Sequence, residues 1–425
     1  MAKPLGNVNT IRIMRPLSFL LLLLGSTILP TAGADNFVWP GWLGPERTGR
    51  VVGFEPPKKW PEKLDKAWQV EVGTGYGSPI VADGKVWQHA RQRDSEVVHC
   101  IDLASGKILW TRSHLVPFKP AGGGERHGKG PKACPAYADG RLFTLSITGT
   151  LSAWDAATGK FLWRKTPGKR FGKPYSHWGA SNSPLPHGDK VVNLFGNDQQ
   201  GALLALDVAT GETVWSLGED GVCYSSPFPA EIEGVRQIIA WNHRALVGVE
   251  SATGRLLWEY PFPHKTHNQN MPTPAFHEGR ILLGAENRGL HAITPRVKDG
   301  KWTATKSWSQ KDIALDMASA IVAENLLYGL SHYGQGRLFC LNPHSGSILW
   351  QGPPRTGRNV TFLSFPGHLL ALTDWGQVRI LRATGKSYQP VATYRVAEGG
   401  TWAPPVLLPK GILVKDATTL SFWKL

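Results

Sequence analysis

Apolar residues recur along this chain in short runs broken by the same kind of turn. From Leu151 to Trp163 the order is Leu-Ser-Ala-Trp-Asp-Ala-Ala-Thr-Gly-Lys-Phe-Leu-Trp: an apolar run, an acid-started turn closed by Gly159, and a second apolar run. The pattern returns at 100–110, 205–215, 248–258 and 340–350. Short apolar runs joined by such a turn predict β-hairpins. Asp102, Asp155, Asp207 and Asn342 have the side chains to fold back onto backbone N–H groups in an Asx turn, and the glycine supplies the positive φ that closes it. Each unit ends in tryptophan because an outer strand needs one large side chain to cover the gap to the next unit, and indole buries much area with few rotors. Trp68, Trp110, Trp163, Trp215, Trp258, Trp308 and Trp350 therefore read as structural anchors, with Tyr394 in the same place at the end of the series.

Successive anchors stand about 40 to 50 residues apart with no helical pattern between them, the signature of propeller blades. Four strands fit each period. The first turn of a unit is Ala82-Asp-Gly-Lys85, and it returns as Ala138-Asp-Gly-Arg141, His187-Gly-Asp-Lys190 and His277-Glu-Gly-Arg280. Asp-Gly between apolar runs is a strong hairpin signal. Several first strands open on Ser-Pro or Thr-Pro, at Ser183, Ser226 and Thr273, and the fifth unit replaces the Thr-Gly turn with Val297-Lys-Asp-Gly300. Beyond Tyr394 there is chain for three strands only, at 403–408, 411–415 and 420–424, and the orphan strand around Trp68 supplies the fourth. The expected fold is all-β, an eight-bladed propeller of four-stranded antiparallel blades over 64–425, closed by the N-terminal strand. Seven blades is the alternative. Residues 35–63, rich in Trp, Pro and Gly, should form an ordered arm.

Composition adds an address. Lys3, Arg12 and Arg15 precede the run Phe19–Leu24 and an Ala32-Gly-Ala34 site, the three-part layout of a secretory signal with cleavage near Ala34; retention as an anchor is the alternative. The expected location is periplasmic or extracellular. The chain carries 47 Lys and Arg against 32 Asp and Glu, a net charge of +15, which favours anionic partners or surfaces. Nucleic acid suits that charge but conflicts with export. Four cysteines in an exported protein raise the question of disulfides. Cys100 and Cys340 occupy the same place in two repeats, where other copies have Ala153, Ala205 and Gly248, and read as buried small residues; Cys134 stands where other units have Ser78, Ser183, Ser226 and Thr273, and a bridge to Cys223 is left open.

The hairpins resemble the repeat of the PQQ-like propeller superfamily, Ala-x-Asp-x-x-Thr-Gly-x-x-x-Trp, which is matched in full by Ala153, Asp155, Thr158, Gly159 and Trp163 and by Ala205, Asp207, Thr210, Gly211 and Trp215. The arm, Trp39-Pro-Gly-Trp42-Leu-Gly-Pro45, is similar to that of exported proteins with PQQ-like repeats. The superfamily holds quinoprotein dehydrogenases and the BamB lipoproteins of outer-membrane assembly. The resemblance implies the fold, and PQQ only for the dehydrogenase branch, whose enzymes set adjacent cysteines against the quinone. This chain has no Cys-Cys pair, so no cofactor is expected and PQQ is the alternative. The BamB branch is lipid-anchored through a cysteine, and none lies near the cleavage site.

In a propeller, the loops that run from each outer strand to the next inner strand share a face with the turns between second and third strands. Here those loops are long and basic, and they bring Arg126, His127, Lys169, Arg170, Lys173, His177, Trp178 and His267 to one side. The turns add Asn197, Asn242, Arg244, Asn287, Arg288, Tyr333 and Trp375. The expectation is a cationic, amide-rich funnel over the central channel, suited to an anionic or hydroxylated ligand through charge-assisted hydrogen bonds and stacking. A solvated basic loop face is the bland reading. No zinc or calcium pattern and no nucleophile elbow occur, so no metal and no catalytic residue are assigned. The functional expectation is an exported, non-catalytic, monomeric propeller serving as a protein-interaction scaffold or ligand-binding module of the bacterial envelope, with an envelope protein or an anionic or hydroxylated ligand as partner and peripheral membrane association compatible with its charge. A PQQ dehydrogenase and a binder of anionic polysaccharide are the rivals.

Overall fold

A computed structural model describes residues 37–166, 171–172, 175–264 and 270–425. The signal expected at 1–34 lies outside these residues, as do Lys169, Arg170, Lys173 and His267. The described chain forms eight four-stranded antiparallel sheets. Blades 1 to 7 occupy 80–115, 136–165, 185–217, 228–261, 275–310, 321–351 and 360–395, each in simple sequence order from inner to outer strand. Blade 8 has Val406–Leu408, Gly411–Lys415 and Thr419–Lys424 as its three inner strands and Asp65–Glu71 as its outer one. Trp68 stands opposite Phe422, so the two ends of the propeller are stitched into one sheet, as the anchor spacing requires.

The repeat consensus becomes legible as packing. Asp155 Oδ1 accepts from the N–H and hydroxyl of Thr158 at 2.8 and 2.6 Å, and Asp207 does the same with Thr210 at 2.8 and 2.9 Å. Cys100, Ala153, Ala205 and Cys340 each lie directly opposite the Trp that closes their hairpin, and the strand register slips immediately after each of them. The ring covers its small partner, which leaves no room for a larger side chain. Gly248 takes this to the limit, because a Cβ there would fall inside Trp258.

Across blades the tryptophans act as wedges. The indole N–H groups of Trp68, Trp110, Trp163, Trp308 and Trp350 donate to carbonyls of Leu103, Ala157, Val208, Pro343 and Thr384 in the next blade's outer turn, at 2.7 to 3.1 Å. Trp258 is an exception with a visible cause. Blade 5 lacks the Thr-Gly turn and extends a long hairpin, Gly289–Lys298 and Lys301–Gln310, so Trp258 donates instead to Gln237 Oε1 of its own blade at 2.8 Å. The apolar core is correspondingly a series of interblade layers: Ile80, Val98 and Cys100 of blade 1 pack with Leu142 and Trp154 of blade 2, and Val192 and Ala205 of blade 3 with Ile238 and Val247 of blade 4. The four cysteines are buried and unbridged, so the Cys134–Cys223 alternative is closed. Among the described residues no helix is long and apolar enough to cross a membrane.

The arm runs across the inner strands. Trp39 and Val81 of blade 1 exchange two backbone hydrogen bonds, Pro40 O accepts from Tyr137 N of blade 2, and Ser364 of blade 7 is bonded to Gly49 and Val51. Between these points the chain turns inward at Leu43 and Gly44, both with positive φ; a Cβ on Gly44 would meet the Trp39 ring at 2.8 Å. Arg47 is the deepest charged group of the arm. Its guanidinium donates to the carbonyls of Ser183 at 3.1 Å, Pro227 at 2.7 Å, and Pro184. Burial pulls its pKa down to about 9, so it still carries its charge at neutral pH.

Candidate functional site

The mouth of the propeller is built on one repeated position. The N–H of Ser78 donates to Cys134 Sγ at 3.1 Å, Cys134 N–H to Ser183 Oγ at 3.0 Å, Ser183 N–H to Ser226 Oγ at 2.9 Å, Ser226 N–H to Thr273 Oγ1 at 2.9 Å, and Thr273 N–H to Ser319 Oγ at 2.9 Å. Five bonds thus chain six blades together. Proline follows the first five of these residues, which holds each in extended backbone and keeps the chain from turning helical before the inner strand. Cys134 acts as one acceptor of this belt, and burial raises its thiol pKa to about 11, so it stays protonated.

Above the belt lies a cavity of about 480 Å³. Trp42 and Leu43 of the arm line it, together with residues preceding all eight inner strands, among them Tyr76, Lys132, Ser181, Tyr224, Met271, Asp316, Asn359 and Trp402. Two aromatic walls define it. Tyr76 stacks on Trp402 at 5.4 Å between centroids, and Trp178 stacks on Tyr224 at 5.7 Å. His127 meets Trp402 edge-on at 5.0 Å.

Hydrogen bonding fixes the His127 tautomer. Arg126 Nε lies 3.2 Å from His127 Nε2 and can only donate, so that nitrogen accepts; Nδ1 then carries the proton and donates to the Tyr76 hydroxyl oxygen at 3.2 Å. Burial and the neighbouring Lys132 and Arg126 hold the His127 pKa at about 4, and the ring is neutral. Burial likewise raises Tyr76 to about 12 and lowers Lys132, whose ammonium donates to Trp178 O at 2.5 Å, to about 8. Asp316 is lifted to about 6 by burial and by the like charge of Glu286, against the pull of Arg126. Groups titrating near neutrality inside a cleft are where binding and proton transfer are commonly found.

A second, wider cavity of about 870 Å³ adjoins the first and shares Tyr76, Arg126, His127, Asp316, Met317 and Trp402 with it. It adds Arg355, Arg358, His332, Asp374 and Trp375. Asp374 Oδ1 accepts the N–H groups of Arg358 and Asn359 at 3.0 and 3.3 Å, which shapes that rim.

The residues anticipated from sequence divide into two groups. Arg126, His127 and Trp178 line the inner cavity, and Trp375 lines the outer one. The other described ones stand in the same face but are engaged in holding its loops. His177 N donates to Asp198 and its ring faces Gly122 O; Asn197 Oδ1 caps Gln199 and Gln200; Arg244 pairs with Asp220 at 3.0 Å. Asn242 is buried, with its carbonyl taken by Asn270. Arg288 donates to Pro263 O and Asn270 Oδ1 and lies over the Phe262 ring at 4.7 Å. Asn287 N donates to His332 Nε2, and Tyr333 packs on the His332 ring at 4.6 Å. Sequence reading missed Tyr76, Tyr224, Asp316 and Trp402. Three of them lie two residues before the belt position or its equivalent, at Ser78, Ser226 and Pro404, and that offset is the signal that would have found them.

Residues 93–352 match the family described as outer membrane protein assembly factor BamB. The chain belongs to that family. Curated relatives fall into two kinds. It is 33% identical over 129 residues to the 1-butanol dehydrogenase (cytochrome c) of Thauera butanivorans, covering 28% of this chain and 17% of that one, and 23% identical over 252 residues to BamB of Moranella endobia, covering 56% of each. The chain thus spans a small part of the first relative and about half of the second. The quinohemoprotein alcohol dehydrogenase of Comamonas testosteroni superposes with a TM-score of 0.63 at 15% identity, over 91% of this chain and 80% of that one, a likeness of fold.

Proposed function

We propose that this protein is a non-catalytic recognition module of the bacterial envelope whose axial cavity takes a small hydroxylated anion, such as a sugar acid. The observation that carries this reading is the pairing of Tyr76–Trp402 and Trp178–Tyr224 as aromatic walls beside both Arg126 and Asp316. A sugar ring offers C–H faces to aromatic planes, hydroxyls for Asp316 and Glu286 to accept, and a carboxylate or phosphate for Arg126 and the outer Arg355 and Arg358. Kinship with BamB favours an address in the envelope and a non-catalytic role.

A dehydrogenase is the second reading, favoured by the relatives and by Asp316, whose raised pKa suits a general base. The donor set fits a quinone poorly. Cys134 is the cysteine lining the cavity, it stands apart from the other three, and its sulfur is used by the Ser78 N–H, so no adjacent pair is available to cover a quinone ring.

The deciding experiment titrates the purified protein with glucuronate, glucose and glucose phosphate while following tryptophan fluorescence. Saturable binding of the acidic sugars that weakens at least about tenfold in Arg126→Ala and Trp402→Ala supports recognition. Binding that is indifferent to both substitutions overturns it, and dye reduction on addition of PQQ, calcium and an alcohol would establish the enzyme instead.

A further inference from the structure

At the end of the propeller opposite the cavity, the first turn of blade 5 meets the outer turn of blade 6. His277 and Glu278 come from the former, in the His277-Glu-Gly-Arg280 turn, and His344 from the latter, where it follows the Asn342 cap. One nitrogen of each histidine and one Glu278 carboxylate oxygen lie within 4.8 Å of one another. Glu278 stands 3.9 Å from His277 Nε2 and 3.4 Å from His344 Nε2. We propose that His277, Glu278 and His344 form a binding site for a zinc-class divalent ion that staples blade 5 to blade 6.

Three features argue for this. The His277 side chain is only 10% exposed, yet its Nε2, which faces Glu278, has no hydrogen-bond partner. A buried imidazole nitrogen left unused costs stability, and a metal would satisfy it. Two imidazoles and a carboxylate are a donor set that zinc accepts with a fourth place open to water. The spacing is within reach as well. Ligand atoms around a tetrahedral zinc stand about 3.3 Å apart, from Zn–N lengths of about 2.0 Å. Closing to that distance asks movement only of Glu278 and His344, which are 58% and 45% exposed. The opposing feature is Arg280, whose guanidinium lies 3.1 Å from His344 Nδ1 and must turn outward, since a zinc-bound His344 carries its proton there.

The test uses untagged protein freed of metal by chelation and titrated with zinc chloride, with calorimetry for stoichiometry and thermal unfolding as a second reading. One equivalent should bind and raise the Tm, and Glu278→Gln and His344→Ala, both at exposed positions, should each weaken binding by at least about tenfold. Absence of binding, or a site of equal strength in both variants, overturns the proposal. His277→Asn extends the series once circular dichroism shows a native spectrum.

Discussion

The indole of Trp163 and the backbone of Gly211 occupy one space: a Cβ on Gly211 would lie 2.7 Å from the Trp163 ring, which belongs to the preceding blade. Gly211 has φ +74°, so the position excludes side chains twice, by backbone and by the neighbour. Gly106 against Trp68, Gly254 against Trp215 and Gly346 against Trp308 repeat the relationship. Gly and Trp of the consensus are therefore partners between consecutive blades as well as members of one hairpin. Gly211→Ala should destabilise the protein by about 2–4 kcal/mol, and Trp163→Ala by about 3–5 kcal/mol. Paired with a double variant in urea unfolding, the two losses should be less than additive, because removing the ring frees the space for Cβ.

Ring closure depends on Asp65–Glu71 pairing with Thr419–Lys424. Deleting that strand leaves the outer edge of blade 8 unpaired and uncovers Leu420, so the truncated protein should melt lower and associate, as read by calorimetry and light scattering. Trp68→Ala, which keeps the strand, should cost about 3–5 kcal/mol.

Arg47→Met tests the arm. The substitution fills similar space but leaves the carbonyls of Ser183, Pro184 and Pro227 without their buried donor. A loss of about 3–5 kcal/mol in urea unfolding is expected, from the penalty for unsatisfied buried acceptors. Limited proteolysis should then cut within residues 37–54 before the blades.

Asp316 makes stability depend on pH. Its folded pKa is raised to about 6, so folding favours its protonated form; the stability this adds is complete below the ordinary carboxylate range and lost as pH rises to about 6. Asp316→Asn should consequently melt higher than the parent at pH 7.5 and match it at pH 4. If the cavity takes a sugar acid, parent binding should change across pH 6 and the variant's should not.

How much of this was legible beforehand follows from the range of each interaction. Hairpins, anchors and blade number could be read because their causes are local: Asp155 bonds to Thr158 three residues on, and the Trp interval counts one blade. The belt was half visible, since Cys134 was seen to share a place with Ser78, Ser183, Ser226 and Thr273, but its hydrogen bonds join residues 43 to 56 positions apart. The site was the least legible part. Basic loops marked the right face, yet Asn242 and Arg288 turned out to be held within the loops, while Tyr76, Asp316 and Trp402 gathered from three separate blade junctions.

By itself the sequence determined a β-propeller, where its blades begin and end, and which strand closes it, because a repeat writes short-range geometry again and again. Only the tertiary structure decided that Arg47 reaches the carbonyls just before the inner strands of blades 3 and 4, that two carboxylates stand among the bases of the cavity, and that His277 meets His344. Those meetings depend on the rotation from blade to blade, which brings together side chains that no local pattern relates.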